Sequence, residues 1–219
     1  MSSFSVVICA AMTKHSATSR TRIVALGDWT TAGTPAFKSP IEAPPNGAGD
    51  PTSQYAYWLM QSHPEWEVLN CGVNGERSDE IRARFDRDVV GASPAAVVII
   101  AGVNDVYQGR PVEHVTGHLR AMYARAATAR IRVVAGSILP YNTATPEQNG
   151  RMRHINDWMR RLPGILFVDT RTAVAAAGNP DLLCESPDGL HPTAAGYHRM
   201  ADVIRPALEQ VLGEDALSY

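Results

Sequence analysis

Two residues near the carboxyl end of the chain could form a catalytic base. Asp188 and His191 stand three positions apart in the segment DGLHP, on a predicted turn that leads into a helix. At this spacing a carboxylate can accept a hydrogen bond from one imidazole nitrogen, which fixes the tautomer and leaves the other nitrogen free to take a proton. The structural alternative is that Asp188 caps the turn and His191 lies at the surface. Taken alone, such a pair is more often structural.

Candidate hydrogen-bond donors for a negatively charged intermediate occur in two other motifs. Asn104 lies in the segment GVND, and its side-chain amide could point into a cleft. Gly72 and Gly75 lie in the segment NCGVNG, where glycine allows the backbone to approach a ligand closely. A backbone N–H and an asparagine amide that face a His–Asp pair make an oxyanion hole with its base. Each motif by itself indicates only a turn.

The first glycine turn of the chain carries a tryptophan. The segment VALGDWTTAG, residues 24–33, is typical of a strand that ends in a tight turn, where many hydrolases hold a nucleophile. Trp29 follows Asp28 there, and indole lacks the hydroxyl, thiol, amine or carboxylate that nucleophilic catalysis needs. Thr30 and Thr31 come next, but successive residues of a helix point about 100° apart. We therefore expect neither threonine to act as the nucleophile.

Alternating strands and helices must position these motifs. Apolar, β-branched runs predict five strands, at residues 22–27, 65–72, 95–102, 131–139 and 165–170. Helical spacing of apolar residues predicts helices at residues 52–63, 112–129 and 146–162, and a last helix that begins at Pro192. This alternation predicts an α/β fold, a parallel sheet with helices on both faces. Because ligands bind at the carboxyl ends of such strands, the motifs should converge at one edge of the sheet.

Composition and charge exclude several classes of function. The 219 residues are 45% hydrophobic and 19% charged, with a net charge of −2, which fits one globular domain and no nucleic-acid or membrane surface. The three cysteines, Cys9, Cys71 and Cys184, form no metal motif and no full disulfide framework, so we expect a cytoplasmic protein with no metal or cofactor. Cys71 and Cys184 fit small buried hydrophobes better than substitute nucleophiles.

Two segments stand outside the regular alternation. Residues 1–20 contain a short apolar run and are interpreted as a flexible leader, which leaves a single domain at residues 21–219. Residues 34–51 are rich in proline and glycine and directly follow the tryptophan turn. This second segment could shape the mouth of a substrate site. We expect a small-molecule substrate, and the oligomeric state stays open.

Taken together, the motifs resemble those of the SGNH hydrolases, also called GDSL esterases or lipases. The family's GDS block corresponds to GDWTTAG, its N-x-G-x-x-G block to NCGVNG, its G-x-N-D block to GVND and its D-x-x-H-P block to DGLHP. The blocks occur in the family's order and spacing over residues 22 to about 212. The segment LPYN, residues 139–142, also stands where many relatives have a proline-containing loop.

The resemblance implies a fold and a set of roles. The fold would be a flavodoxin-like, three-layer α/β/α arrangement with about five parallel strands. His191 would be the general base and Asp188 its orienting partner. The oxyanion donors would be the amide of Asn104 and the backbone N–H groups of Gly75 and of the residue after Asp28. The family's nucleophilic serine would stand at that last position, which Trp29 occupies.

Three accounts of Trp29 stay open at this point. The native chain could be a diverged enzyme in which His191 and Asp188 act on water, a hydroxyl or a C–H group, with Trp29 as a stacking wall for the substrate. Lyase, cyclase, isomerase or water-mediated hydrolytic chemistry would fit such a site. Alternatively, an ordinary esterase was inactivated or redesigned by an introduced serine-to-tryptophan change, or the chain is a binding protein without turnover. We favour the diverged enzyme.

Overall fold

A single parallel sheet organises the chain. The computed structural model describes residues 20–213, so the predicted leader at residues 1–20 lies outside the described residues except for its last position. Five parallel strands form the sheet: β1 (Thr21–Gly27), β2 (Trp66–Gly72), β3 (Ala96–Ile100), β4 (Arg132–Gly136) and β5 (Leu166–Val168). Their order in the sheet is β2-β1-β3-β4-β5. This is the flavodoxin-like order, and it confirms the predicted α/β fold.

The strand sequences explain why both faces of the sheet are covered. Along β1, Ile23 and Ala25 pack into one apolar core, whereas Val24 and Leu26 pack into the other. All four side chains are fully buried, as expected when helices lie on both faces of a parallel sheet. The alternation of strand residues between two cores gives the three-layer arrangement that the family resemblance implied.

Eight α-helices surround the sheet in the described part of the chain. They are α1 (Trp29–Ala32), α2 (Tyr55–Ser62), α3 (Ser78–Ala83), α4 (Val103–Tyr107), α5 (Val112–Thr128), α6 (Pro146–Arg160), α7 (Thr170–Val174) and α8 (Ala194–Gly213). Helices α3, α5 and α6 supply buried residues to the core on one face, and α2, α7 and α8 supply those of the other. Within residues 20–213, no helix is both long enough and apolar enough to cross a membrane.

Several predicted boundaries were too wide at the carboxyl end of a strand. The strand predicted for 95–102 ends at Ile100, because Gly102 adopts a φ of +119° and α4 begins directly after it. The helix predicted from Pro192 begins at Ala194. The strand predicted for 131–139 ends at Gly136. In both strands apolar residues continue the pattern beyond the last paired residue. Residues in these overhangs are free to form the loops of the site.

The short elements were not predicted. They are the helices α1, α3, α4 and α7, a 3₁₀ turn at Pro51–Ser53 and a π-helical turn at Asp86–Val90. Two antiparallel ladders belong to the same group, and they pair Phe37–Lys38 with Ala48–Gly49 and Ala175–Ala176 with Asn179–Leu183. Elements of two to six residues are too short to display a hydrophobic period.

Candidate active site

Three of the predicted site residues line one cavity. Trp29 follows β1, Asn104 follows β3, and His191 precedes α8, so all three lie beyond the carboxyl ends of strands or in the loop before the last helix. The cavity has a volume of about 210 Å³ and is lined by Trp29, Asn74, Val103, Asn104, Tyr107, Tyr141, Leu190 and His191. The topology therefore brings together the motifs that the sequence analysis expected to converge.

Asp188 fixes the tautomer of His191. Its Oδ2 lies 2.6 Å from Nδ1 of His191, and its Oδ1 accepts the backbone N–H groups of Leu190 and His191, each at 2.9 Å. Partial burial raises the pKa of Asp188, but the hydrogen bonds from the ring and from the two N–H groups outweigh it and lower the pKa to about 2. Because the carboxylate can only accept, Nδ1 must carry a proton, and Nε2 of a neutral ring is then free to accept one.

The indole of Trp29 packs directly on the imidazole of His191. Trp29 is the first residue of α1, and the preceding Asp28 caps that helix by accepting the N–H of Thr30 at 2.9 Å. The centroids of the Trp29 and His191 rings lie 4.7 Å apart, with the ring planes at 82°. Only 6% of Trp29 is exposed. The side chain next to the candidate base is thus an edge-to-face aromatic partner that offers no nucleophile.

A buried polar layer supports the turn that carries Trp29. The hydroxyl of Tyr197 donates to the carbonyl of Trp29 at 3.5 Å, and the hydroxyls of Thr31 and Tyr55 lie 3.2 Å apart. Thr31 is therefore committed to this layer, as expected of a residue that is not the nucleophile. Burial raises the pKa of Asp28 to about 7 despite its hydrogen bonds with Thr30.

The loops after β2 and β3 are joined beside the cavity. Nδ2 of Asn104 donates to the carbonyl of Glu76 at 2.8 Å, which uses one of its two amide hydrogens. Gly75 adopts a φ of +80°, a conformation that favours glycine, and its N–H has no acceptor within residues 20–213. Gly75 itself does not line the cavity, but its neighbour Asn74 does. The second hydrogen of Asn104 stays available to a ligand.

Asp105 also joins the loop after β2 to the loop after β3. It is fully buried, and its two oxygens accept the N–H and the hydroxyl of Ser78, each at 2.8 Å. Since Ser78 begins α3 directly after the Gly75 turn, this pair holds the β2 loop against the residue that follows Asn104.

Changing Asp105 to asparagine should lower the free energy of unfolding by about 1–3 kcal/mol. Asparagine keeps an acceptor oxygen for the Ser78 N–H and its amide can donate to the Ser78 hydroxyl, but the buried carboxylate and its stronger, charge-assisted hydrogen bonds are lost. Urea unfolding monitored by circular dichroism measures the change. Asp157→Asn, on the exposed side of α6, removes a surface ion pair and should change stability by less than about 0.5 kcal/mol. Equal effects of the two variants would contradict the role of Asp105.

A buried arginine that the sequence analysis did not single out organises the strand ends. Arg84 donates to the carbonyl of Gly27 at 2.9 Å and to that of Cys71 at 2.8 Å, and it pairs with Glu76 and Asp88. It therefore ties the carboxyl ends of β1 and β2 to the loop that holds Asn104. Burial raises the pKa of the Cys71 thiol to about 11, so this thiol is a poor nucleophile.

His114 has carboxylate neighbours that the sequence did not reveal. Its Nε2 lies 3.6 Å from an oxygen of Asp105 and 3.9 Å from one of Asp79, and one ligand atom from each residue lies within 4.8 Å of the others. These residue types could hold a metal ion. However, Arg77 already pairs with Asp79 at 3.1 Å and Ser78 engages both oxygens of Asp105. We therefore assign Asp79, Asp105 and His114 to a network of hydrogen bonds and ion pairs next to the loops after β2 and β3.

Other residues around the cavity differ from the sequence expectation. Asn74, Tyr107, Tyr141 and Leu190 line it but were not singled out. They all stand within or beside the quoted motifs, which is the signal that could have identified them. No lining residue comes from the segment 34–51, which was expected to shape the mouth. That segment instead lines a second cavity against β2, and its Glu42 accepts the N–H of Asn74 at 3.0 Å.

The sequence matches a known family over most of its length. Residues 25–199 match the GDSL-like Lipase/Acylhydrolase family. The chain is 30% identical over 167 residues to an acetylxylan esterase from Geobacillus stearothermophilus, an alignment that covers 67% of this chain and 75% of that protein.

Solved structures share the fold. A protein of the G-D-S-L lipolytic family from Desulfitobacterium hafniense has a TM-score of 0.71 at 26% identity, over 86% of this chain and all of the other. A catalytic mutant of the Geobacillus stearothermophilus acetylxylan esterase, in which a serine is changed to alanine, has a TM-score of 0.64 at 21% identity, over 89% of this chain and 95% of the other. The sequence and fold similarities thus span most of the described chain.

Proposed function

The chain belongs to the GDSL-like lipase/acylhydrolase family, and from that premise we propose that it hydrolyses a small ester by direct attack of water, without an acyl-enzyme. The curated relative is an acetylxylan esterase, which supports an ester as the substrate class. The position after Asp28, where the resemblance implied a serine, is Trp29 in this chain. A reaction through a covalent intermediate at this position is excluded by the chemistry of indole.

The hydrogen bonding of the His191 ring is the observation that carries the proposal. Asp188 holds Nδ1 at 2.6 Å, and Nε2 has no partner among residues 20–213. The ring lines the cavity and is in contact with the indole of Trp29, which carries no nucleophilic hydroxyl or thiol for His191 to deprotonate. A free imidazole nitrogen at the edge of a ligand-sized cavity is placed to take a proton from a water molecule.

The proposed hydrolysis needs no reactant other than the ester and water. Nε2 of His191 takes a proton as the water oxygen attacks the ester carbonyl, and the carbonyl electron pair moves to oxygen. Asn104 and the N–H groups of Gly75 and Trp29 are the candidate donors to that oxyanion. Collapse of the tetrahedral intermediate re-forms the carbonyl and expels the alkoxide, which takes the proton from the imidazolium.

In this proposal the indole of Trp29 forms one side of the cavity and packs against the bound substrate. The indole contributes an apolar face to the cavity together with Val103 and Leu190, and no lysine or arginine is among the lining residues. The cavity of about 210 Å³ suits a short, neutral acyl or alkyl group better than a long chain. We therefore expect short-chain neutral esters to be preferred.

Rapid mixing with 4-nitrophenyl acetate tests the mechanism directly. We expect linear release of 4-nitrophenol without a stoichiometric burst, no acetylated protein by intact-mass spectrometry, and no inactivation by a fluorophosphonate that labels nucleophilic serines. A burst or a covalent adduct on any side chain would show an acyl-enzyme and overturn the proposal. Absence of turnover with acetyl, propionyl and butyryl esters would also overturn it and would favour a binding protein.

A further inference from the structure

Tyr141 carries a buried hydroxyl without a hydrogen-bond partner. Its side chain is 2% exposed, its ring lines the cavity, and its hydroxyl has no partner within the described chain. An unpaired buried hydroxyl costs about 1–3 kcal/mol, so such groups in native proteins usually have a reason. Burial, with a smaller effect of Tyr107, raises the pKa of Tyr141 to about 12, which keeps the phenol protonated as a donor near neutral pH.

The backbone around Tyr141 is fixed to the His191 loop. The N–H of Asn142 donates to the carbonyl of Gly189 at 2.7 Å, and its side-chain oxygen accepts the N–H of Leu183 at 2.8 Å. The carbonyl of Tyr141 itself accepts the N–H of Ala144 at 3.0 Å. The loop therefore holds the tyrosine at a set position relative to Asp188 and His191, and the backbone cannot readily shift to give the hydroxyl a partner.

The neighbouring tyrosine can move. Tyr107 is 60% exposed, and its ring centroid lies 5.9 Å from that of Tyr141, with the planes at 64°. Exposed side chains change rotamer on the picosecond-to-nanosecond timescale, whereas a side chain pinned in the core does so much less readily. A ligand that enters the cavity can thus displace Tyr107 at small cost and approach Tyr141, which lines the same cavity.

We propose that Tyr141 is a substrate-binding residue whose hydroxyl donates a hydrogen bond to an uncharged acceptor oxygen of the ligand. The acceptor would belong to a neutral ester, either its carbonyl or an oxygen of its alcohol portion, since no lining side chain carries a fixed positive charge for a carboxylate. The choice of an ester rests on the proposed function. The binding role itself rests on the unpaired donor, the fixed loop and the cavity.

Binding of acetanilide tests this role without requiring turnover. This neutral amide offers a carbonyl acceptor and resists hydrolysis, and calorimetric or NMR titration gives its Kd. We expect Tyr141→Phe to raise the Kd about 5- to 10-fold, as for the loss of one hydrogen bond. We also expect the melting temperature of the free protein to stay unchanged or rise, because the substitution removes an unpaired hydroxyl. Tyr57→Phe, the matched control, removes the hydroxyl of a tyrosine on α2 that does not line the cavity and should change the Kd less than about 2-fold.

The outcomes separate this inference from the proposed function. A ¹³C=O label on acetanilide should show an infrared band shift on binding that Tyr141→Phe reverses and Tyr57→Phe does not. Unchanged binding by Tyr141→Phe, or a lowered melting temperature without a binding change, overturns the inference and indicates a structural hydroxyl. Absence of acetanilide binding to the native chain overturns it as well. If the native chain turns over no ester but Tyr141→Phe still weakens acetanilide binding, only the proposed function fails.

Discussion

Replacing Trp29 by serine should convert the site into a serine esterase, with kcat/KM for 4-nitrophenyl acetate raised by at least about 10²-fold. Trp29 is the first residue of α1, and its ring lies against the imidazole of His191. A serine there would place a hydroxyl on the same short helix, whose N-terminal N–H groups are without intrahelical acceptors. The Nε2 atom of His191, already oriented by Asp188, could then take the hydroxyl proton.

Trp29→Ala is the control that isolates the hydroxyl. Both substitutions remove the same buried indole, and each should lower stability by about 3–5 kcal/mol, so the pair is compared well below the lower melting temperature. Only the serine variant should show a burst of 4-nitrophenol and react with a fluorophosphonate. If alanine and serine raise the rate equally, the gain comes from opened space, and the position of Trp29 is not that of a nucleophile.

Much of the fold could be predicted because its strands carry a simple signal. The run AVVII in β3 is buried throughout, and a continuous apolar run of five residues is what a strand covered on both faces requires. The amphipathic patterns of α5 and α6 were equally informative, and both helices begin within the predicted segments. The predicted parallel direction of the strands then placed the motifs at one edge of the sheet, because the carboxyl ends of parallel strands lie on the same side.

The lining of the cavity was harder to predict because it depends on the paths of loops. Asn104 and His191 were identified because several motifs occur together in the order and spacing of one family, although each motif alone indicates only a turn. Tyr141 is an ordinary aromatic residue in the sequence, and its importance comes from a hydroxyl whose missing partner is visible only in three dimensions. Arg84 likewise looks like a surface residue of a charged helix, yet it is 7% exposed and joins two strand ends.

Asp188→Asn should reduce the ester hydrolysis of the native chain by about 10²-fold or more, at all pH values near neutral. The asparagine oxygen can still accept the N–H groups of Leu190 and His191, which now donate to one carboxylate oxygen at 2.9 Å. Its amide group would face Nδ1, now 2.6 Å from the other oxygen, and would force that nitrogen to accept. The proton would then lie on Nε2, so the ring could not act as a base.

In Asp188→Asn the turn keeps its backbone hydrogen bonds while the tautomer of His191 changes. A loss of activity in this variant therefore reports the orientation of the imidazole and not the folding of the turn. The measurement is kcat/KM for 4-nitrophenyl acetate, together with an NMR assignment of the protonated ring nitrogen. His154→Ala, an exposed histidine on α6, serves as the matched surface control and should leave the rate within about 2-fold. If Asp188→Asn places the proton on Nε2 but keeps the native rate, His191 is not the base, and the free nitrogen beside Trp29 has another role.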